Sequence, residues 1–167
     1  SGNDYMVRDT IAASGAIAFG VEAYDYVNRG SLRCGIYSVD MMVNDASWYE
    51  FVMDGFSFSE TRFVNSHIDY ELRQLTGQRV HRLMIDPNNS FSGYKHKRNS
   101  GAIELEPDST YHVNITISDS YGNSCRLFAV VMGLGSADLP LARERVEAEG
   151  TKWSFYNDNT IQTNLYR

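Results

Sequence analysis

Residues 111–131 constrain the fold more than any other part of this 167-residue chain. In their first half apolar and polar residues alternate, a period of two that predicts a strand with one buried face. A turn follows, in which Gly122 and Asn123 adopt positive φ at little cost. Residues 125–132 then form a second β-rich run that is apolar on both faces, as expected of an interior strand. The segment predicts a β-hairpin with three structural turn residues, Asp119, Gly122 and Asn123.

Several other segments carry strand signals, separated by turns rich in Gly, Asn and Pro. Their spacing of about 8–12 residues is typical of short antiparallel strands. Aromatic residues, which favour pleated surfaces, make up 13% of the chain. This pattern predicts an all-β fold, an antiparallel immunoglobulin-like β-sandwich with a short C-terminal extension. The strand segments are 16–24, 36–43, 48–53, 80–85, 102–105 and the two halves of the hairpin, which would be the last strand pair of the sandwich.

Changes in composition divide the chain into four parts. Residues 1–14 have no clean period and are interpreted as a lead-in that includes a remnant of tag removal. Residues 15–132 hold the predicted sandwich. Residues 133–152 are interpreted as a linker or a short helix, and residues 153–167 as an extra strand or the start of a following β module.

Residues 59–72 permit two interpretations. Their apolar residues fit a helical stripe, but the same residues suit an irregular crossover between two sheets. We favour a crossover that contains a helical turn. Within it, Arg62, Asp69 and Tyr70 are interpreted as structural, forming a buried salt bridge or a hydrogen-bonded pin, because Arg commonly holds a carboxylate in a fixed geometry.

Charge, hydropathy and cysteine content bear on nucleic-acid binding, membrane insertion and disulfide formation. The net charge is −6 and nucleic-acid binding is not predicted. No apolar run approaches the roughly 20 residues of a membrane span. The two cysteines, Cys34 and Cys125, are interpreted as free buried thiols, with a disulfide between them as the alternative.

Residue patterns that carry catalysis or metal binding are not found in the sequence. The four histidines lack the spacing of a zinc site, and there is no Gly-x-Ser-x-Gly elbow or Gly-rich phosphate cradle. Carboxylates such as Asp40, Glu50, Asp54 and Asp69 would suit a glycosidase acid–base pair in some folds. Any chain with 21 acids offers such pairs, so no catalytic residue, metal or cofactor is predicted.

A ligand-binding loop is a weaker prediction for residues 90–101. This polar segment combines two aromatic residues with a basic run, an arrangement suited to stacking on sugar rings or meeting acidic groups. The plainer interpretation, a solvated loop whose aromatic side chains pack down on the sandwich, is favoured. The candidate ligand-binding residues are Phe91, Tyr94, Lys95, His96 and Arg98.

Three passages, followed by the hairpin turn at 119–123, carry a resemblance to a known protein family in which these features occur in the same order. The passages are residues 15–25, 35–44 and 54–70. The most distinctive stretch is Phe-Ser-Phe-x-Glu-Thr-Arg, at residues 56–62. Over about residues 15–132 the chain resembles the β-sandwich region that follows the catalytic domain in bacterial lysostaphin-type zinc metallopeptidases. These envelope proteins cut peptide cross-links in peptidoglycan, and the segment from Trp153 resembles the opening of a further β module in them.

The resemblance implies a role without catalysis. The peptidase domain of that family binds zinc through His-x-x-x-Asp and His-x-His motifs, and neither occurs in this sequence. It therefore implies a non-catalytic accessory module of a peptidoglycan-processing protein, located in the cell envelope, the periplasm or outside the cell. Its partners would be peptidoglycan or other domains of the same polypeptide. The alternative is a carbohydrate- or peptidoglycan-binding module that uses the loop 90–101.

Overall fold

A computed structural model describes residues 4–27, 32–135, 147–148 and 151–157. Two short α-helices, α1 (Thr61–Asn65) and α2 (Tyr70–Thr76), follow a 3-10 turn at Phe58–Glu60. A second 3-10 turn spans Arg98–Gly101. The remaining regular structure consists of strands: β1 (Asp4–Met6), β2 (Ile11–Ala13), β3 (Gly15–Glu22), β4 (Asp25–Val27), β5 (Leu32–Cys34), β6 (Ser38–Val43), β7 (Ala46–Val52), β8 (His81–Arg82), β9 (Tyr94–Lys97), β10 (Ile103–Leu105), β11 (Thr110–Ser118), β12 (Ser124–Gly133), β13 (Glu147–Ala148) and β14 (Thr151–Asn157).

The predicted hairpin is confirmed and lies inside the larger sheet. This sheet has the order β1-β12-β11-β6-β7-β9, and β2 also pairs with β12. β11 and β12 are antiparallel from Thr110 opposite Met132 to Ser118 opposite Ser124. Both edges of the hairpin are thus occupied, by β6 on one side and by β1 and β2 on the other. The hairpin forms because its alternation supplies a buried row, Val113, Ile115 and Ile117.

The turn of the hairpin is built as predicted around Asp119. Its carboxylate accepts hydrogen bonds from the backbone N–H groups of Tyr121 and Asn123 and from the Asn123 amide. These bonds hold the pKa of Asp119 below its usual range, with the Asn123 amide as the largest cause. Gly122 has a φ of 86°, a conformation that favours glycine, whereas Asn123 keeps a negative φ.

The smaller sheet is built on both sides of β3. Its order is β10-β3-β14-β13, and β8 also pairs with β3. Ile17 aligns with Ile103 of β10 and with Asn157 of β14, so β10 and β14 lie on opposite edges of β3. β8 pairs with Gly20 and Val21, next to β10 on the same edge.

The two sheets form one immunoglobulin-like sandwich, as predicted. In the variable-type immunoglobulin fold, one sheet has the strand order G-F-C-C′-C″ and strands B and E pair in the other. The order β12-β11-β6-β7-β9 and the pair β3–β10 reproduce these relationships. Side chains from both sheets share a single hydrophobic core, which includes Ile17, Phe19, Val39, Met41 and Ile115.

The chain ends depart from the predicted boundaries. The interpretation of residues 1–14 as a lead-in is wrong, because β1 and β2 pair in parallel with β12 and Val7, Ile11 and Ala13 are buried. Such short strands are too brief to show a period. Gly133 ends β12, and the segment 151–157 pairs with β3 as an added strand. Most of the predicted linker or short helix over 133–152 lies outside the described residues, as does the chain after 157.

The crossover, defined here as residues 58–76, is more helical than expected. It holds the 3-10 turn, α1 and α2, which ends at Gly77 with a φ of 76°. The strand predicted over 80–85 is reduced to the two residues of β8. No helix in the described ranges is long and apolar enough to cross a membrane. Cys34 and Cys125 are free thiols, as favoured, but both are only partly buried, so the prediction that they are buried is wrong.

Candidate functional site

The weaker prediction for the loop 90–101, an exposed aromatic platform, is wrong, because Phe91 and Tyr94 are core residues. Only 2% of Phe91 and 6% of Tyr94 is exposed. Their rings meet edge to face, 5.6 Å apart, and both contact Phe51. Asn89 helps to fix this conformation, because its side-chain oxygen accepts the backbone N–H of Phe91. The favoured interpretation, in which the aromatic side chains of this loop pack down on the sandwich, is therefore correct.

The basic residues of this loop remain at the surface but are held in place. The Lys95 ammonium donates to the carbonyl of Ser92 at 3.1 Å. The Arg98 guanidinium lies 4.5 Å from the ring centroid of Trp48, and Trp48 donates its Nε1–H to the carbonyl of Ala102. Arg98 and Trp48 thus form a cation–π pair at the sheet edge, which contributes about 0.5–1 kcal/mol at exposed sites.

A row of polar side chains crosses the outer face of the larger sheet. Strand register aligns His96 with Glu50 and Glu50 with Asp40. The pKa of Asp40 is raised by burial and, to a lesser degree, by Glu50, while His96 acts in the opposite direction. Carboxylates directly opposite on neighbouring strands repel each other. The sheet thus brings together two of the four carboxylates considered from the sequence, on an open face.

The proposed pairing of Arg62 with Asp69 is wrong. Arg62 is exposed, and its guanidinium lies 4.6 Å from the ring centroid of Phe63. Asp69 is structural in another way, because its carboxylate accepts the backbone N–H of Leu72 and caps α2. Tyr70 is 69% exposed and forms no part of a buried pin. A cap depends on local spacing, whereas the salt bridge required a contact that the helices do not make.

Phe58 is displayed on a rigid turn at the start of the crossover. It is 96% exposed. Glu60 closes a capping box with Ser57 and also accepts the backbone N–H of Ser92, while the Thr61 hydroxyl donates to the carbonyl of Phe58. The hydrogen bonds from Ser57 and Ser92 to the Glu60 carboxylate, led by that from the Ser57 backbone, lower the pKa of Glu60 to about 2. The hydrogen-bonded turn therefore fixes the backbone of Phe58 while its aromatic ring stays exposed to solvent.

Other exposed apolar side chains occur in or beside the crossover. Phe56 is 44% exposed and Leu75 is 76% exposed. We use the term crossover surface for Phe56, Phe58, Tyr70 and Leu75. Four of the seven large hydrophobic residues exposed in the described chain belong to it. Exposed apolar side chains of this size are candidates for contact with another protein.

A buried histidine pair was not singled out from the sequence. His67 is 2% exposed and His81 is 5% exposed, and their ring centroids are 5.2 Å apart. The His67 ring stacks on Phe51 at 3.9 Å, and none of the four ring nitrogens has a hydrogen-bond partner. One signal was available, since His81 shares its parity with the apolar Leu83 and Ile85 and so belongs on their face of the segment.

Burial determines the protonation of this pair. It lowers the pKa of His81 to about 4, with a smaller contribution from Arg79. It lowers the pKa of His67 well below the usual range, and His81, Arg82 and Arg79 act in the same direction. Two imidazoles are fewer than the ligands that zinc takes from a protein. Within the described ranges no group of three or more His, Cys, Asp or Glu side chains is placed to hold a metal ion.

Comparison of the chain with protein-family models, with curated proteins and with solved structures gives no match.

Proposed function

We propose that this chain is a non-catalytic accessory module of a bacterial cell-envelope peptidase protein that processes peptidoglycan. The proposal starts from the resemblance of residues 15–132 to the β-sandwich region of lysostaphin-type metallopeptidases. The module would act outside the cytoplasm, and its partners would be peptidoglycan or neighbouring domains of the same polypeptide.

The observation that carries the proposal is the exposed aromatic side chain of Phe58. It lies in the most distinctive passage of the resemblance, and the Ser57–Glu60 box fixes the backbone that presents it. Aromatic side chains that need little reordering are the usual anchors of protein interfaces. A module that positions an enzyme requires such an anchor, whereas a purely spacing role does not.

The contact would be made by the crossover surface. An exposed Phe of this size leaves apolar area in water, and covering it contributes roughly 25 cal/mol per Å². Arg62 is exposed four residues after Phe58 in the chain, so a partner with an apolar pocket and an acidic rim fits the chemistry best. A peptidase domain held at this surface would be oriented relative to its substrate.

The first test uses the complete gene product. Sequencing it should reveal an upstream domain with His-x-x-x-Asp and His-x-His motifs. Cleavage of purified peptidoglycan should then fall at least several-fold on Phe58→Ser. The matched control is Tyr121→Ser, which changes an aromatic side chain that is 88% exposed on the hairpin turn.

A complete gene product that lacks both motifs would overturn the proposal. Equal peptidoglycan cleavage by the Phe58 and Tyr121 variants would show that the peptidase does not depend on the crossover surface. Sedimentation of the isolated chain with peptidoglycan, lost on replacing Lys95 and His96, would instead support the wall-binding alternative.

A further inference from the structure

His67 and His81 lie where the crossover joins the sandwich. His67 follows α1, and His81 belongs to β8, which pairs with β3. The backbone around them forms a small ladder, with Asp69 N–H donating to Val80 O at 2.9 Å and Arg82 N–H donating to His67 O at 2.8 Å. The two imidazoles therefore sit at the junction between two parts of the molecule.

The two imidazoles are buried against aromatic rings, and neither has a hydrogen-bond partner for an added N–H group. The His67 ring stacks on Phe51 at an interplanar angle of 11° and lies 6.0 Å from the ring of Tyr94. A neutral imidazole carries one N–H and one acceptor nitrogen, and here all four nitrogens of the pair are buried without partners. A second proton on either ring would place a charge in this core, which costs several kcal/mol when it is unpaired.

The charged groups around the pair do not offset such a charge. Arg79 acts on both rings and Arg82 acts on His67, and both are cations. The carboxylate of Asp86 is engaged by Arg82 at 2.8 Å. The titratable groups on adjoining elements include Asp69, which caps α2, Glu22, which accepts from Gln78, and the buried phenols of Tyr49 and Tyr94.

Few hydrophobic side chains join the crossover to the main core of the sandwich. Leu72 and Val80 form a small cluster distinct from the main core. In the described chain, the hydrophobic side chains through which the crossover touches the main core are Phe63 and Val64, both partly buried. Further ties are the stack of His67 on Phe51, the two backbone hydrogen bonds of the ladder, and hydrogen bonds from Arg82, Asn89 and Ser92. Segments with little buried apolar contact open at lower free energy than the core.

We propose that His67 and His81 form an acid-sensitive latch, whose protonation releases the crossover from the sandwich while the hairpin β11–β12 stays paired. This inference does not depend on the proposed accessory function. Its consequence is that the crossover surface changes with pH.

The size of the effect follows from linkage. An exposed histidine has a pKa of about 6.5, so each imidazole that gains solvent on opening favours the open state about tenfold more at pH 5.5 than at pH 7.5. With both rings neutral in the closed state, the opening equilibrium rises about 100-fold. One histidine would give about tenfold, and none would give no change.

The test is hydrogen exchange of the whole chain by NMR at pH 7.5 and 5.5, with each rate divided by the intrinsic rate at that pH. The reporters are the amides of Asp69 and Arg82, which bridge the latch. Their opening constants should rise about 100-fold on acidification. At both pH values they should remain larger than those of the Val113 and Leu127 amides in the hairpin.

Variants assign the protons to residues. His67→Phe and His81→Leu should each reduce the rise to about tenfold, and the double variant should abolish it. His96→Gln and His112→Gln are the matched controls, because these two histidines are exposed. They should leave the full rise unchanged.

Several results would overturn the latch. Latch amides that exchange with the same opening constant as the hairpin would mean global unfolding. If the opening constants of the latch amides in the unaltered chain rise tenfold or less on acidification, the two histidines do not act as a pair. This measurement does not require any variant to fold. An undiminished rise in the folded double variant would assign the protons to other groups.

Discussion

The imidazole of His67 lies face to face with the phenyl ring of Phe51, with 3.9 Å between centroids. Phe51 belongs to β7 of the larger sheet, and His67 belongs to the crossover. The same phenyl ring also contacts Phe91 and Tyr94. One side chain therefore joins the crossover and the loop before β9 to the core of the sandwich.

Replacing Phe51 by Ala should cause a large loss of stability. Phe51 is fully buried, and removing a buried Phe side chain leaves a cavity that costs about 3–5 kcal/mol. Urea denaturation followed by fluorescence measures this loss in the free energy of unfolding. Tyr121→Ala, at an exposed aromatic residue, should change it by no more than about 0.5 kcal/mol. Similar decreases in the free energy of unfolding for Phe51→Ala and Tyr121→Ala would contradict the conclusion that Phe51 is a main contact of the core.

The free energy of unfolding should decrease as the pH is lowered from about 6.5 to 4, because two histidines are buried in the folded protein. Burial depresses the folded-state pKa of His81 to about 4, and His67 is depressed further. The unfolded chain therefore binds more protons, and stability is constant above about pH 6.5 and decreases as the pH falls toward 4. For His81 alone the decrease is about 3 kcal/mol.

The measurement is denaturant unfolding from pH 8 to pH 4. His81→Leu should flatten the pH profile of the free energy of unfolding, and His112→Gln should not. Glu60, whose pKa is lowered to about 2, affects stability only below about pH 4.5, so the two ranges are distinct. A profile that stays level down to pH 4.5 would show that the imidazoles are not buried as neutral groups.

Gly101→Ala should destabilise the sandwich strongly. Gly101 has a φ of 90°, and a Cβ there would collide with the backbone carbonyl of Leu83. Backbone strain and the clash together should cost about 2 kcal/mol or more. Gly35 provides the control, because it has open space around its Cβ position and no left-handed φ. Thermal melts of both variants should show a decrease for Gly101→Ala only, and an equal decrease for Gly35→Ala would refute the account.

Asp69→Ala should weaken α2 and leave the sheets intact. The Asp69 carboxylate accepts the Leu72 backbone N–H at 2.9 Å, and loss of an N-cap costs about 1 kcal/mol. Asp69→Asn keeps a side-chain oxygen for the cap and should recover most of this loss. Glu71→Ala, in the same turn but exposed, is the control. Hydrogen exchange of residues 70–76 measures the effect, and unchanged protection would exclude a capping role.

Local patterns explain which elements were predictable. The hairpin and its turn follow from alternation and from Asp119 and Gly122, all close together in the chain. β1 and β2 escaped prediction because strands of three residues show no period, and their partner β12 lies more than a hundred positions away. Tyr94 has the sequence surroundings of a loop residue. It becomes part of a strand because β9 pairs with the edge of β7, far from it in the chain.

The candidate sites show the same division. The sequence identified the basic run with Lys95 and Arg98 as exposed, because charged side chains stay in water wherever the backbone goes. It did not show that Phe91 packs inside or that His67 and His81 are buried together. Each of these outcomes requires contact with Phe51, which lies far away in sequence.

The sequence by itself determined the all-β class, the β11–β12 hairpin and the Asp119 turn, because period and turn chemistry act between near neighbours. Tertiary structure alone decided which aromatic residues enter the core and which histidines lose solvent. Burial depends on what distant segments bring to the same place, and here Phe51 is the side chain on which the crossover and the β9 loop meet.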